Sequence, residues 1–124
     1  MEYLSGIITN HTPFISARVK NGRLVFAKRG TIRFVVDTGF TGDLLIPSAI
    51  INHLDLKFLA YKTFHLAADQ VIALPVYRGE VMFDRAILEV EMTPGDALIG
   101  MSLMQAIGSQ LILDFDRAQV RLSA

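Results

Sequence analysis

The residues with the clearest chemical potential are Asp37, Thr38 and Gly39. They lie in the stretch "RFVVDTGFTGDLLIP", residues 33–47, where they interrupt an apolar run that resumes at Leu44. A carboxylate at the end of an apolar strand can transfer protons in a reaction, or it can cap a turn in which glycine supplies a positive φ. The tripeptide alone leaves both interpretations open.

A carboxylate that handles phosphate is a third interpretation. Phosphatases of the haloacid dehalogenase type need a second aspartate two residues after the first, and Gly39 holds that position. Sugar kinases and actin-like ATPases carry a similar Asp-x-Gly turn, but their folds need far more chain than 124 residues. The sequence therefore disfavours phosphoryl transfer.

The elements that would position Asp37 are mostly β-strands. Alternating and β-branched segments predict strands at "TPFISARV", "GRLVFAKRG", "TIRFVV", "EVMFD" and "AILEVEM", and a closing hairpin in "LILDFDRAQVRL" that turns near residues 116–118. The segment "KTFHLAADQVIALPVYRG" predicts two strands around a turn at Ala68, Asp69 and Gln70. Pro75 would demote the second of these strands to an edge or a bulge.

Two short helices complete the pattern. "PSAIINHLDL" places apolar residues at helical intervals, with Ser48 as the predicted cap, and a second helix is predicted between Gly100 and Gly108. Many short strands with one or two short helices predict a mainly β barrel or sandwich.

The length and composition of the chain indicate that these strands and helices form a single domain. A chain of 124 residues is long enough for a single domain, residues 1–124, with a modest core. Hydrophobic residues make up 52% and charged residues 19%, so some apolar surface could be buried against another copy, and we expect a homo-oligomer. The formal charge is zero, which argues against nucleic acid as a partner.

The same sequence predicts neither a membrane segment nor a cofactor. No apolar run approaches the roughly 18 residues of a spanning helix, and the first ten residues lack the pattern of a secretory signal. Cysteine is absent, which excludes disulfides, thiolate catalysis and cysteine-based zinc sites. His11, His53 and His65 lie in unrelated segments and make no triad or metal set. A cytoplasmic location is the default expectation.

Two ordered segments together carry more information than the tripeptide. "FVVDTGFTGDLLIP" resembles the strand, Asp-Thr-Gly turn and following strand of the retropepsin-like branch of the aspartic proteases. "ALIGMSLM" is similar to the second signature of that family, two apolar residues and a glycine before a helix, and "DFDRAQVRL" is similar to the last hairpin of pepsin lobes. The resemblance covers roughly residues 12 to 122, with a hairpin between the two signatures that could serve as the flap.

The resemblance implies a single-lobed, acid-protease-like closed β barrel with a flap hairpin, and it implies roles for individual residues. The catalytic turn would be Asp37, Thr38 and Gly39. The implied substrate-binding residues are Phe40, Thr41, Gly42, Ala67, Ala68, Asp69, Gln70, Leu98, Ile99 and Gly100. No metal or cofactor is implied, and the substrate would be an extended peptide or protein segment.

The chemistry of this family needs two carboxylates. Hydrolysis without a metal or a side-chain nucleophile requires one group to take a proton from water while another gives a proton to the carbonyl oxygen. Two carboxylates about 3 Å apart cannot both ionise, because at an effective dielectric constant near 20 their repulsion is on the order of 5 kcal/mol. One therefore acts as the acid and the other as the base.

This chain has one Asp-Thr-Gly, so a dyad requires a second carboxylate from elsewhere. The prediction is a homodimer in which a two-fold axis brings two copies of Asp37 together, with the Thr38 hydroxyl bonding across the axis to the partner's loop. Asp114 or Asp116 of the same chain is the competing source. Both are predicted to lie in a hairpin of ordinary turn composition.

Two positions depart from the family pattern. Phe40 stands where the family usually has Ala or Ser; its ring could fill part of the cleft, restrict substrates to small side chains, or point into the core. Gln70 stands where glycine would most readily adopt a positive φ at the flap tip. These departures keep a second function open, a peptide-binding or dimerisation module on the same fold with little or no hydrolysis.

Overall fold

In the computed structural model, residues 2–26, 30–65, 68–84 and 86–124 are described. Strand residues make up 60% and helix residues 11%, so the predicted mainly β class with two short helices is confirmed. The elements in chain order are β1 (Glu2–Thr9), β2 (Thr12–Asn21), β3 (Leu24–Val25), β4 (Ile32–Val36), β5 (Leu44–Ile46), α1 (Ser48–His53), β6 (Lys57–His65), β7 (Val71–Phe83), β8 (Ala86–Pro94), β9 (Leu98–Ile99), α2 (Met101–Ile107), β10 (Gln110–Asp114) and β11 (Gln119–Ser123).

The strands form one sheet in the order β10-β11-β1-β2-β4-β9-β5-β8-β7-β6, with β3 attached to β2. Strand β2 is shared between two neighbours: its residues 14–17 pair with β4, and its residues 18–20 pair with β7. Because of this second ladder, β2, β4, β9, β5, β8 and β7 make a ring of paired strands. Strands β10, β11 and β1 extend from the ring on one side, and β6 on the other.

The interior of the sheet holds the main hydrophobic cluster. Its fully buried members come from strands spread along the chain, including Ile15, Phe34, Leu44, Met92 and Ile99. Burying such a side chain contributes roughly 1.5–3 kcal/mol. The ring is therefore held by long-range contacts between segments that are distant in sequence.

A smaller second cluster lies apart from the main one. It consists of the buried residues Phe40, Leu45, Phe64 and Val76, with Leu59, Leu74 and Leu98 packed around them. Its members come from the loop after Asp37, from β5 and β9, and from the β6–β7 hairpin. This second cluster therefore connects the candidate site to the hairpin.

The structure corrects several predicted strands. Strand β1 was not predicted, and "GRLVFAKRG" contributes only the two residues of β3, while residues 27–29 of that segment lie outside the described residues. The segments around Pro75 and "EVMFD" are one strand of 13 residues, β7, and not two. The length of a strand depends on which other strands pair with it. These partners are distant in sequence, so a local pattern does not reveal them.

Pro75 does not make β7 an edge strand, because β7 lies between β6 and β8. The β7–β8 ladder begins only at Tyr77, so Pro75 lies in the part of β7 that pairs with β6 alone. A residue without an N–H is tolerated there because one side of the strand has no ladder partner. The alternative prediction, a bulge at Pro75, is wrong: Pro75 pairs in register with Tyr61, and the register shift of this ladder lies in β6, between Phe58 and Ala60.

Both predicted helices are present and short. The N-cap of α1 is Pro47 and not Ser48, and no side-chain hydrogen bond caps it. Helix α2 begins after Gly100 and ends before Gly108, as predicted. Within the described ranges, neither helix has the length and apolar character needed to cross a membrane.

Candidate active site

Asp37 directly follows β4, where the sheet is parallel. Strand β4 pairs with β9 through Val35 with Leu98 and Val36 with Ile99. The ladder continues one residue further, because the Asp37 N–H donates to the carbonyl of Ile99 at 3.0 Å. The two segments that the sequence analysis singled out, around Asp37 and around Leu98, are therefore neighbours in the sheet.

The Asp37 carboxylate is held by its own turn. Its Oδ1 accepts a hydrogen bond from the Gly39 N–H at 2.8 Å, and the Phe40 N–H donates to the Asp37 carbonyl at 3.2 Å. Gly39 does not have a positive φ; a Cβ at this position would lie 3.2 Å from Asp37 Oδ1. Glycine therefore serves the close approach of carboxylate and backbone here. Asp37 is half-buried, and Thr38 and Gly39 are exposed.

The far end of the loop is fixed to the start of α2. The Met101 N–H donates to the carbonyl of Phe40, and the Gly100 N–H donates to the carbonyl of Asp43, both at 2.8 Å. A Cβ at Gly100 would collide with the carbonyl oxygen of Gly42 and would lie 2.5 Å from Cδ2 of Phe40. Glycine at position 100 therefore allows the close approach of this backbone to the end of the Asp37 loop.

Phe40 points into the second cluster. Its side chain is 2% exposed, and its ring centroid lies 5.5 Å from that of Phe64 at an interplanar angle of 41°. The ring therefore points into the core, as the last of the three alternatives in the sequence analysis had it, and does not fill the cleft. The prediction that Phe40 binds substrate through its side chain is therefore wrong for this structure, because almost none of its surface is accessible.

The other predicted substrate-binding residues fall into two groups. Thr41 is exposed and Gly42 and Leu98 are partly exposed, whereas the Ile99 side chain is fully buried in the main cluster and Gly100 is buried. Ile99 can contribute its backbone to the site but not its side chain. Its placement follows from the alternation of β9, in which successive side chains point to opposite faces.

The predicted hairpin is present, and its tip differs in detail from the prediction. Ala67 lies outside the described residues, while Ala68, Asp69 and Gln70 are exposed. The positive φ angles fall on Ala68 and Asp69, at 62° and 58°, and not on Gln70. Turn type in a hairpin is fixed by loop length and register, which the sequence did not reveal. That the hairpin covers a cleft as a flap stays a prediction.

A groove of about 230 Å³ lies beside the exposed Thr38. Its walls are α2, through Met101, Met104 and Gln105, and the start of β10, through Gln110 and Leu111. The groove shows that the Asp37 loop and the free edge strand β10 lie on the same side of the molecule.

Asp114 and Asp116 are not brought to Asp37. Asp114 is at the opposite end of β10 from the groove, and β10 is four steps from β4 in the sheet order. The Asp114 carboxylate accepts from the Arg117 N–H at 3.1 Å within its own turn, and Asp116 is exposed there. These contacts support the prediction that Asp114 and Asp116 belong to an ordinary hairpin turn.

Two residues at the site were missed from the sequence. Asp43 Oδ2 accepts from the Glu91 N–H at 2.9 Å and so ties the end of the loop to β8. Phe64 packs on Phe40 from the hairpin. Phe64 has no local signal in the sequence, because it is distant from Phe40 along the chain and meets it only in the folded structure.

Within the described ranges, no group of three or more histidine, aspartate or glutamate side chains is arranged to hold a metal ion. Comparisons of the chain with protein-family models, with curated proteins and with solved structures found no match.

Proposed function

We propose that this protein is an aspartic endopeptidase that acts as a homodimer, with one Asp37 from each subunit. The observation that carries the proposal is the Asp37 loop. A carboxylate at the carboxyl end of a parallel strand pair is oriented by the Gly39 N–H at 2.8 Å, with Thr38 and Gly39 exposed beside it. The fold would be the single-lobed acid-protease-like barrel, built on the ring of paired strands.

The reaction follows from two such carboxylates facing one another. The ionised carboxylate takes a proton from water as the water oxygen attacks the peptide carbonyl carbon, and the protonated one gives its proton to the carbonyl oxygen. The protonated carboxyl group then gives its proton to the nitrogen as the C–N bond breaks, while the ionised carboxylate takes a proton from one of the two hydroxyl groups on the carbon, so the pair again holds one shared proton.

The second carboxylate would come from a second copy across the β10 edge. The strands at the two ends of the sheet order differ: β6 carries Lys57, Lys62 and a bulge, features that discourage edge pairing. Strand β10, "QLILD", has no lysine and a regular five-residue register with β11. Because the groove beside Thr38 is lined by β10, pairing at this edge would bring a partner close to the Asp37 loop.

The substrate would bind as an extended strand between the loop and the hairpin. Thr41 is exposed and Gly42 half-buried, and both lie directly after the Asp37 turn, where a peptide backbone would pass. The inner face of the hairpin carries Ile72, 40% exposed, and the partly buried Leu74. Backbone hydrogen bonds would give affinity, and alternate side chains would give specificity.

The test is cleavage of a mixed peptide library between about pH 4 and pH 7. Asp37→Asn should lower the cleavage rate at least about 1000-fold while the chain stays folded, because the amide can neither take up nor supply the required proton. Asp116→Asn, an exposed residue in the turn after β10, is the matched control and should retain activity. A folded wild-type dimer that cleaves nothing would sink the enzyme proposal.

The β10 edge has its own test. Leu113 is 38% exposed, and Leu113→Lys would place a lysine on the edge strand where a partner would pair. Sedimentation should show this variant shifted towards monomer, with its folding intact. Ile87→Lys, a change of similar size at a side chain 53% exposed on β8, should leave the association unchanged. If both variants associate as strongly as wild type does, the β10 interface is contradicted.

A binding module without hydrolysis is the second candidate. It is favoured by the hairpin tip, where Ala68 and Asp69 have positive φ without being glycine, so rearrangement of the tip is more restricted. A wild-type dimer that binds extended peptides and leaves them intact would favour this candidate.

A further inference from the structure

We infer that Phe40 is a positioning residue that couples the Asp37 loop to the β6–β7 hairpin. The inference rests on the proposed function, because it gives the hairpin the task of holding a substrate above Asp37. The coupling itself is a property of the packing and can be measured without any substrate.

The backbone of Phe40 is fixed on both sides. Its N–H closes the turn on the Asp37 carbonyl at 3.2 Å, and its carbonyl accepts from the Met101 N–H at 2.8 Å. A shift of the Phe40 backbone must therefore disturb the Asp37 turn or the start of α2. The Phe40 side chain extends from this fixed backbone, so the position of the loop determines where the ring packs in the second cluster.

The ring of Phe40 occupies a slot made by two glycines and a second ring. A Cβ on Gly42 would lie 2.6 Å from Phe40 Cζ and 2.9 Å from Phe64 Cε1. A Cβ on Gly100 would lie 2.5 Å from Phe40 Cδ2. The slot accepts the phenyl ring only because both positions lack a side chain, so the ring has little freedom to move within it.

The hairpin has few other buried attachments near its tip. Of β6, only Phe64 is buried, and it belongs to the second cluster with Phe40. A second link runs from Lys62 to Glu91 at 2.7 Å, but both side chains are more than two-fifths exposed, and such pairs contribute little. The contact between Phe40 and Phe64 is therefore the main buried connection from the loop to β6.

This arrangement makes the position of the hairpin depend on the loop. If the hairpin lifts, Phe64 must leave the Phe40 ring and expose the second cluster. If the Phe40 ring is lost, the hairpin loosens while the separate main cluster keeps the ring of strands together. Phe40 thus sets the position of the hairpin relative to the Asp37 loop, and its buried ring does not contact a substrate.

Hydrogen exchange of the wild type and two matched variants tests the coupling. Phe40→Leu removes the ring from the second cluster, and Phe83→Leu makes the same change in the main cluster at the far end of β7. Phe40→Leu should accelerate exchange of the β6 and β7 hairpin amides about tenfold more than Phe83→Leu does. If both variants affect the hairpin amides equally, the coupling is overturned.

A rescue variant separates positioning from general destabilisation. In Phe40→Leu the space at Cζ is vacant, and Gly42→Ala would place a methyl group there, with the Phe64 ring, 2.9 Å from that methyl group, shifting into the rest of the vacated space. The double variant should exchange its hairpin amides more slowly than Phe40→Leu alone, although Gly42→Ala by itself should accelerate their exchange. Additive acceleration in the double variant would contradict the proposed slot.

Peptide cleavage then shows whether the coupling serves the reaction. Phe40→Leu should raise KM about tenfold because the hairpin no longer rests in place, whereas Phe83→Leu should leave KM unchanged. An unchanged KM in Phe40→Leu overturns the positioning role. If wild type cleaves nothing, the proposed function fails, and the exchange data still decide whether Phe40 couples loop and hairpin.

Discussion

The Asp37 loop and the tip of the β6–β7 hairpin are both turns between strands, but they are fixed very differently. The loop is hydrogen-bonded to Ile99 and Met101 on either side, and its Phe40 ring packs against Gly42 and Gly100. The hairpin tip is exposed, with Ala68 and Asp69 in the left-handed region. The difference indicates a closely packed Asp37 loop and a solvent-exposed hairpin tip whose conformation is set by its own backbone.

The largest effect is expected from a change that disturbs the packing of the Asp37 loop. Gly100→Ala would place a Cβ against the carbonyl oxygen of Gly42 and the ring of Phe40, neither of which can move freely. We expect a loss of about 3 kcal/mol in the free energy of unfolding, measured by urea titration.

Gly95→Ala is the matched control for this change. Its Cβ would lie 3.3 Å from Leu45 Cδ2, the end of a side chain that can adjust. The control should change the free energy of unfolding by no more than about 0.5 kcal/mol. Equal urea midpoints for the two alanine variants would show that the loop is not closely packed.

A smaller effect of opposite sign is expected at the hairpin tip. Ala68 has a φ of 62°, a region where a side chain costs about 1 kcal/mol and glycine does not. Ala68→Gly should therefore raise the free energy of unfolding by roughly 0.5 kcal/mol, measured by the same titration.

The strand residue Ala73 provides the control for the tip. It is exposed in β7, where glycine should lower the stability by about 0.5–1 kcal/mol. A loss of stability in both variants would contradict the left-handed conformation at Ala68.

The sequence allowed the mainly β class, the strand that ends at Asp37 and the boundaries of α2 to be predicted. These features depend on local pattern, since β-branched residues precede Asp37 and glycines bracket the helix at 100 and 108. The direction of Phe40 could not be predicted in the same way. It depends on Phe64, which is distant in sequence and reaches Phe40 only through the hairpin.

The same reason explains the errors in the strands. Strand β1 lies between β11 and β2, so it depends on the two ends of the chain meeting. The length of β7 depends on three neighbours, β6, β8 and β2. These pairings cannot be seen in a local sequence pattern. The position of Asp37 at a strand end can be, because it depends on the residues next to it.

The proposed site takes one Asp37 from each of two chains. Mixtures of wild type and Asp37→Asn, refolded together at constant total protein, test it by their peptide cleavage rate. A shared site predicts that an equal mixture retains about a quarter of the wild-type rate, because only wild-type pairs have both carboxylates. A rate near one half would show that each chain acts alone, and it would contradict the shared dyad.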